Sequence, residues 1–268
     1  MTLAAAIQLS CTSDRARNDA AFDRLVRRVV AHGARLVCTP ECTNYLGPHD
    51  EKVRSAEPLE GPTVQRYRDI AAELGITLVI GSVNEASTVP GKCFNTTVVI
   101  GPDGAILATY RKLHLFDVDH SDAVRFLESD TTVPGDDVVT VATPHGVLGL
   151  SICYDLRFPE LYRALADRGA QILLVPSAFT LTTGKDHWEP LLRARAIENQ
   201  TFVIAPGQHG HHDDRGLRES WGHSMIVDPW GHVLGMAPDG EGFALAEIDL
   251  DRVARIRRGM PLNDHRRL

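Results

Sequence analysis

Strand-like apolar runs alternate with helix-like stretches along nearly the whole chain, which restricts it to an α/β architecture. Residues 3–9 read as a strand, and Asp14 is placed to cap a helix reaching His32, with Phe22, Leu25, Val26 and Val29 on one face. Residues 35–39 form a short buried strand. A helix over residues 63–74 stops at Gly75, and residues 76–83 are again extended. Further on, residues 138–141 and 147–153 are strands around His145-Gly146. Pro159 opens a helix that ends at Gly169, and residues 172–176 are a strand. A helix over 188–200 precedes strands at 201–205 and 243–248, and a last helix covers 249–258 before a basic tail.

Two hairpin signals interrupt the alternation. Gly101-Pro102-Asp103-Gly104 joins strands at 94–100 and 105–111, and Asp228-Pro229-Trp230-Gly231 joins strands at 224–227 and 233–236. Hairpins force antiparallel neighbours, so the sheets are mixed rather than purely parallel. Two sheets packed face to face with helices outside satisfy the pattern, and so does one open sheet with helices on both faces. No linker, repeat of short period or low-complexity segment marks a boundary, and residues 1–268 are expected to form a single domain. Residues 113–137 are long and weakly patterned, as a loop lining a site or acting as a lid would be. The loops at 42–58 and 179–186 are expected to shape the same pocket.

Composition narrows the partners. With 28 Lys plus Arg against 35 Asp plus Glu and no basic block, the chain is unsuited to nucleic acid or an anionic membrane. Apolar residues make up 43%, an ordinary globular mixture, and no apolar stretch nears the roughly 20 residues that span a bilayer. No basic residue precedes the apolar run at 3–9 and Gln8 interrupts it, so it reads as a strand and not as a signal peptide. The five cysteines are odd in number and widely spaced, which fits reduced thiols in the cytoplasm. There the sequon Asn95-Thr96-Thr97 has no consequence.

The segment Gly149-Leu150-Ser151-Ile152-Cys153-Tyr154-Asp155-Leu156-Arg157-Phe158-Pro159-Glu160 carries the sharpest chemical signal. It places a thiol at the carboxyl end of a strand, where α/β sheets bind ligands, and the following N–H groups can serve an oxyanion. A lone cysteine is more often a small buried hydrophobe, but the polar neighbours of Cys153 favour a nucleophile. A thiol needs a base. One of the 12 histidines can supply it, and so can a carboxylate held beside a lysine. Glu41 follows the strand Leu36-Val37-Cys38-Thr39-Pro40, and Lys112 closes the strand at 105–111; each alone reads as a solvated charge.

Three polar groups at three strand ends resemble the Glu–Lys–Cys site of the carbon–nitrogen hydrolase (nitrilase) superfamily. Glu41 lies in Thr39-Pro40-Glu41, Lys112 in Tyr110-Arg111-Lys112-Leu113-His114-Leu115-Phe116-Asp117, and Cys153 in the segment above. The stretches from His187 to Gln200 and from Gly222 to Gly231 are similar to the family's helix after the nucleophile and its late hairpin. The resemblance implies a four-layer αββα sandwich with two mixed β-sheets face to face, commonly paired as a homodimer. It implies Glu41 as general base, Lys112 as a cation for the oxyanion together with the Tyr154 N–H, and Glu128 as the carboxylate that holds Lys112. No cofactor or metal is required. Tyr154-Asp155 and the absence of a C-terminal extension resemble the Nit-type amidase branch, which includes deaminated-glutathione amidase and ω-amidase. That branch implies a small amide of a carboxylate-bearing acid as substrate, with N-carbamoyl compounds or nitriles as alternatives. On this reading Arg157 clamps a substrate carboxylate or else pairs with a nearby acidic residue. Tyr45, His114, His187 and Trp188 are candidates to line the pocket.

Other signals are weaker. His209-Gly210-His211-His212-Asp213-Asp214 resembles a metal site but reads as an exposed loop. Cys38 and Cys42 have no second pair at zinc-site spacing. Gly149-Leu150-Ser151-Ile152-Cys153 is one glycine short of a serine-hydrolase elbow, which leaves Ser151 as a rival nucleophile. A catalytically silent scaffold is the remaining class of reading.

Overall fold

The computed structural model describes residues 1–121, 124–212 and 218–267. It runs through β1 (Thr2–Gln8), α1 (Arg15–Ala31), β2 (Leu36–Cys38), α2 (His49–Arg54), α3 (Pro62–Leu74), β3 (Thr77–Ala86), β4 (Cys93–Ile100) and β5 (Ile106–Arg111). Two short strands, β6 (Asp117–Ser121) and β7 (Val124–Leu127), precede β8 (Thr140–Thr143) and β9 (Gly146–Leu150). Next come α4 (Pro159–Asp167), β10 (Ile172–Leu174), α5 (Leu181–Asn199), β11 (Phe202–Ala205), β12 (His209–His211) and β13 (Glu219–Trp221). The hairpin β14 (Met225–Val227) and β15 (Val233–Met236) is followed by β16 (Gly242–Ile248), α6 (Leu250–Gly259) and α7 (Leu262–His265).

Local chemistry sets the element ends. The Asp14 carboxylate accepts the Arg17 N–H and caps α1. Gly75, with φ of 61°, ends α3 in the left-handed conformation that glycine adopts without strain. Pro159 occupies the first position of α4, where a missing N–H costs nothing.

The strands form two six-stranded sheets, ordered β16-β1-β2-β3-β4-β5 and β15-β14-β11-β10-β9-β8. In each, three central strands are parallel and the flanking strands antiparallel. Both sheets are thus built by the same path of strand, helix, strand, helix, strand and hairpin. Ala4, Ala6, Leu36, Val79 and Val99 of the first sheet meet Leu148, Leu150, Leu174, Ile204 and Ile226 of the second in one core, which continues on the second sheet's outer face through Leu173 and Val203 to Leu161 and Leu165 of α4 and Trp188 and Leu192 of α5. On its other face, the first sheet packs Ile7, Val37, Leu78 and Ile100 against Phe22 and Val26 of α1 and Val64 and Ile70 of α3. The layers are therefore helix, sheet, sheet, helix. This decides between the two arrangements that the residue pattern left open.

Three expectations need correction. Residues 113–137 are not unbroken loop: β6 and β7 pair antiparallel and lead into a short 3-10 turn over Glu128–Asp130. The loop at 42–58 contains α2, whose six residues bury no side chain and so leave no apolar stripe to read. Finally, α5 begins at Leu181, not at 188, and passes through Pro190. Tertiary contact outweighs local propensity there, because Gly184 lies so close to Trp221 that a Cβ on it would fall 2.3 Å from the Trp221 Cβ.

Candidate active site

The carboxyl ends of β2, β5 and β9 open on the same rim, and the turn after β7 reaches it from the side. Beyond β2, the Thr39 and Thr43 hydroxyls lie 2.7 Å apart and Thr43 Oγ1 donates to the Pro40 carbonyl (2.7 Å), which fixes the turn carrying Glu41. The Glu41 side chain is buried. Its Oε2 accepts the Ala178 N–H (2.8 Å), and its Oε1 accepts from Lys112 Nζ (3.0 Å) and Asn95 Nδ2 (2.8 Å).

Lys112 sits one residue past β5, where its N–H still donates to the Asn95 carbonyl (2.9 Å) and prolongs the β4–β5 ladder. Its ammonium is buried and also touches Glu128 Oε2 at 2.8 Å. Burial opposes the charge, but Glu128 and Glu41 outweigh it and hold the lysine well above its ordinary range. Glu128 is buried as well. Against the effect of burial, Lys112, Lys52 and the Phe116 N–H (2.7 Å to Oε2) bring its carboxyl down to about 2. The lysine is thus held as a cation between the two carboxyl groups.

Cys153 begins a 3-10 turn three residues beyond the last ladder residue of β9. Its φ of 48° is the left-handed conformation that costs a non-glycine residue energy. The turn is over-determined. The Cys153 N–H donates to the Pro176 carbonyl (2.9 Å), and fully buried Asp155 accepts four hydrogen bonds. Asp155 Oδ2 takes the Tyr110 hydroxyl (2.6 Å) and the Ile152 N–H (2.8 Å), while Oδ1 takes the His114 N–H (3.0 Å) and lies 2.7 Å from His114 Nδ1. Two residues before Lys112 are thereby bonded to two residues after Cys153. Burial, and next the neighbouring Glu41 carboxylate, push the Cys153 thiol well above its ordinary range, while Lys112 draws it down. The sulfur thus stands beside a carboxylate and an ammonium.

The remaining candidates fall in different places. Tyr154 follows the sulfur, and its ring meets Phe116 and Phe158 edge-on, with centroids 5.1 and 5.4 Å apart. The Arg157 guanidinium lies 3.3 Å from His187 Nδ1 and 5.3 Å from the Phe179 ring centre. Among the described residues it makes no ion pair. His187 is exposed, and His114 stacks on Phe158 at 3.7 Å while bonded to Asp155. The Tyr45 hydroxyl is occupied by the Pro48 carbonyl (3.1 Å) and Glu51 (3.2 Å). Trp188 lines no pocket: it is fully buried and its indole N–H donates to the His223 carbonyl (2.9 Å). Ser151 is also sealed, 2.8 Å from the Tyr162 hydroxyl and donating to the Leu174 carbonyl at 2.7 Å. Its proton is committed to the framework and its side chain has no exposed surface, so it cannot reach a substrate.

The histidine-rich segment is only partly an exposed loop. His209 and His211 lie on β12, but His212 is buried between the Cys11 carbonyl (2.6 Å) and Ser220 Oγ (2.9 Å). Asp213 and Asp214 lie outside the described residues. Among the described residues, no group of three or more His, Cys, Asp or Glu side chains could hold a metal ion, and no helix is long and apolar enough to cross a membrane.

Sequence reasoning missed Asn95, the Ala178 N–H and the bonding role of Asp155. Asn95 could not be placed by counting from the hairpin turn at 101–104, because the ladder shifts register between Val99 and Ile100 before it reaches Lys112. The glycosylation pattern drew attention elsewhere.

Comparison with known proteins agrees with this geometry. The family model described as carbon-nitrogen hydrolase matches residues 3–258. The chain is 44% identical over 270 residues to the deaminated glutathione amidase of Dictyostelium discoideum, covering 97% of this chain and 92% of that one. It is 42% identical to the human omega-amidase NIT2, covering 96% and 92%. The crystal structure of Saccharomyces cerevisiae Nit3, a member of branch 10 of the nitrilase superfamily, superposes with a TM-score of 0.88 at 33% identity, covering 100% of this chain and 97% of that one. With two mixed sheets in helix layers and a carboxylate, an ammonium and a thiol at their shared rim, the chain belongs to the carbon–nitrogen hydrolase family.

Proposed function

We propose that this chain is a cysteine amidase that releases ammonia from a small carboxylate-bearing amide through a thioester, as one catalytic domain over residues 1–268. The observation that carries the reading is the meeting of Glu41, Lys112, Glu128 and Cys153 in one buried cluster. Glu41 takes the Cys153 proton as sulfur attacks the amide carbon. The carbonyl electrons move onto oxygen, where Lys112 and the Tyr154 N–H stabilise them. Glu41 returns the proton to the departing nitrogen, the C–N bond breaks and ammonia leaves a thioester. Glu41 then takes a proton from water, the hydroxide adds to the thioester carbon, and the C–S bond breaks as sulfur regains a proton. Glu128 holds the lysine on target throughout and touches neither substrate nor sulfur.

The substrate is deaminated glutathione or an ω-amide of an α-keto acid. The names of the relatives support that class, and so does Arg157 at the rim, whose planar fork suits a carboxylate. Tyr45 and His187 are placed as pocket residues, Tyr45 through its ring because its hydroxyl is engaged. Five unpaired cysteines fit a reducing, cytoplasmic setting. A homodimer follows from the exposed apolar face formed by Ile197 of α5 with Trp230, Leu234 and Met236 around edge strand β15.

The test is ammonia release across ω-amides, deaminated glutathione, N-carbamoyl compounds and nitriles, with Cys153→Ala run alongside. Turnover of an α-keto ω-amide or of deaminated glutathione is expected, with none in Cys153→Ala at an unchanged circular dichroism spectrum. Turnover that survives Cys153→Ala refutes the nucleophile. A wild-type protein inert on the whole panel favours a silent scaffold.

A further inference from the structure

Among the described residues, the Asn95 amide is the one neutral side chain that hydrogen-bonds both carboxylates flanking Lys112. Its Nδ2 donates to Glu41 Oε1 (2.8 Å) and to Glu128 Oε1 (3.3 Å), so each of its two hydrogens serves a different anion. The side chain is buried, and its Oδ1 has no hydrogen-bond partner. An unsatisfied buried carbonyl is costly, and a flipped amide would normally relieve it. Here the flip would aim an oxygen at two carboxylates, so the amide is locked with its N–H groups forward. The backbone supports the same placement: Lys112 donates to the Asn95 carbonyl, which makes the two residues cross-strand neighbours.

Resting on the amidase reading of this site, we propose that Asn95 is a positioning residue that keeps Glu41 ionised and aimed at Cys153. Lys112 is shared between the two acids, and the Ala178 N–H holds only the other oxygen of Glu41, so the amide is the second side-chain donor on Glu41 Oε1. The amide closes a ring of Glu41, Lys112, Glu128 and Asn95 in which each carboxylate accepts from both donors. The charged and titratable groups bearing on Glu41 are Lys112 beyond β5, Cys153 in the turn after β9, and Cys42 on its own loop. Glu128 acts through the amide, and Lys52 of α2 acts on Glu128. Removing the amide takes a donor from the ionised form of Glu41, and a carboxylate in its place adds repulsion. Both changes favour the protonated base.

The experiment follows the pH dependence of Cys153 alkylation by iodoacetamide, read by mass spectrometry, in wild type, Asn95→Ala and Asn95→Asp. This readout needs no amide substrate. The acidic limb is expected to move to higher pH in Asn95→Ala and, by about one unit or more, further in Asn95→Asp. On an amide substrate, kcat is expected to fall about 10- to 100-fold in Asn95→Ala with KM little changed. In the wild-type protein, the Asn95 side-chain N–H resonances should titrate along the same limb, a measurement that does not depend on either variant folding. Superimposable limbs, a loss confined to KM, or resonances indifferent to that limb would overturn the proposal. If wild type hydrolyses no amide, the amidase reading fails by itself; if wild type is active and the limbs coincide, only the role of Asn95 fails.

Discussion

Two buried carboxylate clusters lie close together in this protein, and they are put to opposite uses. Around Lys112, two anions share one cation and an amide, and a neighbouring thiol remains within reach of Glu41. Around Asp155, a single carboxylate pairs with no lysine or arginine among the described residues and is held by two backbone N–H groups, a tyrosine hydroxyl and His114. Four donors saturate that carboxylate, so it has nothing left to offer a reactant. The first cluster retains a free acceptor for a proton and is poised for chemistry. The second fixes the strained turn that carries the sulfur and ties it to the strand that carries the lysine. Reactivity in a buried acid therefore depends on which lone pairs the framework leaves open, more than on burial itself.

The contrast is broken most completely by Lys112→Met. Two carboxylates then remain buried without their counter-ion, so activity should vanish and stability in urea unfolding should fall by about 3–5 kcal/mol. Asp155→Asn is expected to be milder in stability, about 2–3 kcal/mol, because its NH2 group meets donors where an acceptor stood. The displaced turn should still lower kcat by about 100-fold; wild-type kcat in that variant would show that the turn holds itself. The charged cluster also has a pH signature that can be isolated. The Glu128 carboxyl is held down at about 2 against an ordinary value of 4.5, so its contribution is complete above 4.5 and is lost as pH falls toward 2. Unfolding free energies measured between pH 5 and 2 should fall more steeply in wild type than in Glu128→Gln, and parallel curves would assign the acid loss elsewhere. Tyr110→Phe is the smallest change. It removes one of the four Asp155 donors and is expected to cost about 1 kcal/mol with kcat nearly retained.

The charged cluster was more legible in the sequence than the saturated one, for a physical reason. Glu41, Lys112 and Cys153 each stand just past an apolar run, and such runs are visible as strands, so their ends are too. Glu128 could be named only through the family resemblance, because β7 is four residues long and has no alternation to follow. Asp155 was seen as a polar neighbour of the sulfur, but its four bonds join residues up to 45 positions apart and leave no local trace. The sheets themselves were foreseen as mixed from the two hairpin turns. Their stacking is not readable from the residue pattern, because the apolar residues that pack one sheet on the other look the same in a single open sheet; it is implied by the family resemblance, and the structure bears it out. Helix α2 was invisible for want of a buried face, and α5 was cut short at a proline that the fold accommodates.

The division of the cluster between two sheets has a consequence for how the enzyme comes into being. Glu41 and the Lys112 ammonium emerge from the ribosome before the sulfur does, and the strands that carry them belong to the other half of the sandwich. Until the halves dock, the nascent polypeptide holds an ordinary thiol with no partner to take its hydrogen. On the proposed mechanism, nucleophilic power is thus withheld from every immature or misassembled copy, and catalysis becomes a certificate of completed folding.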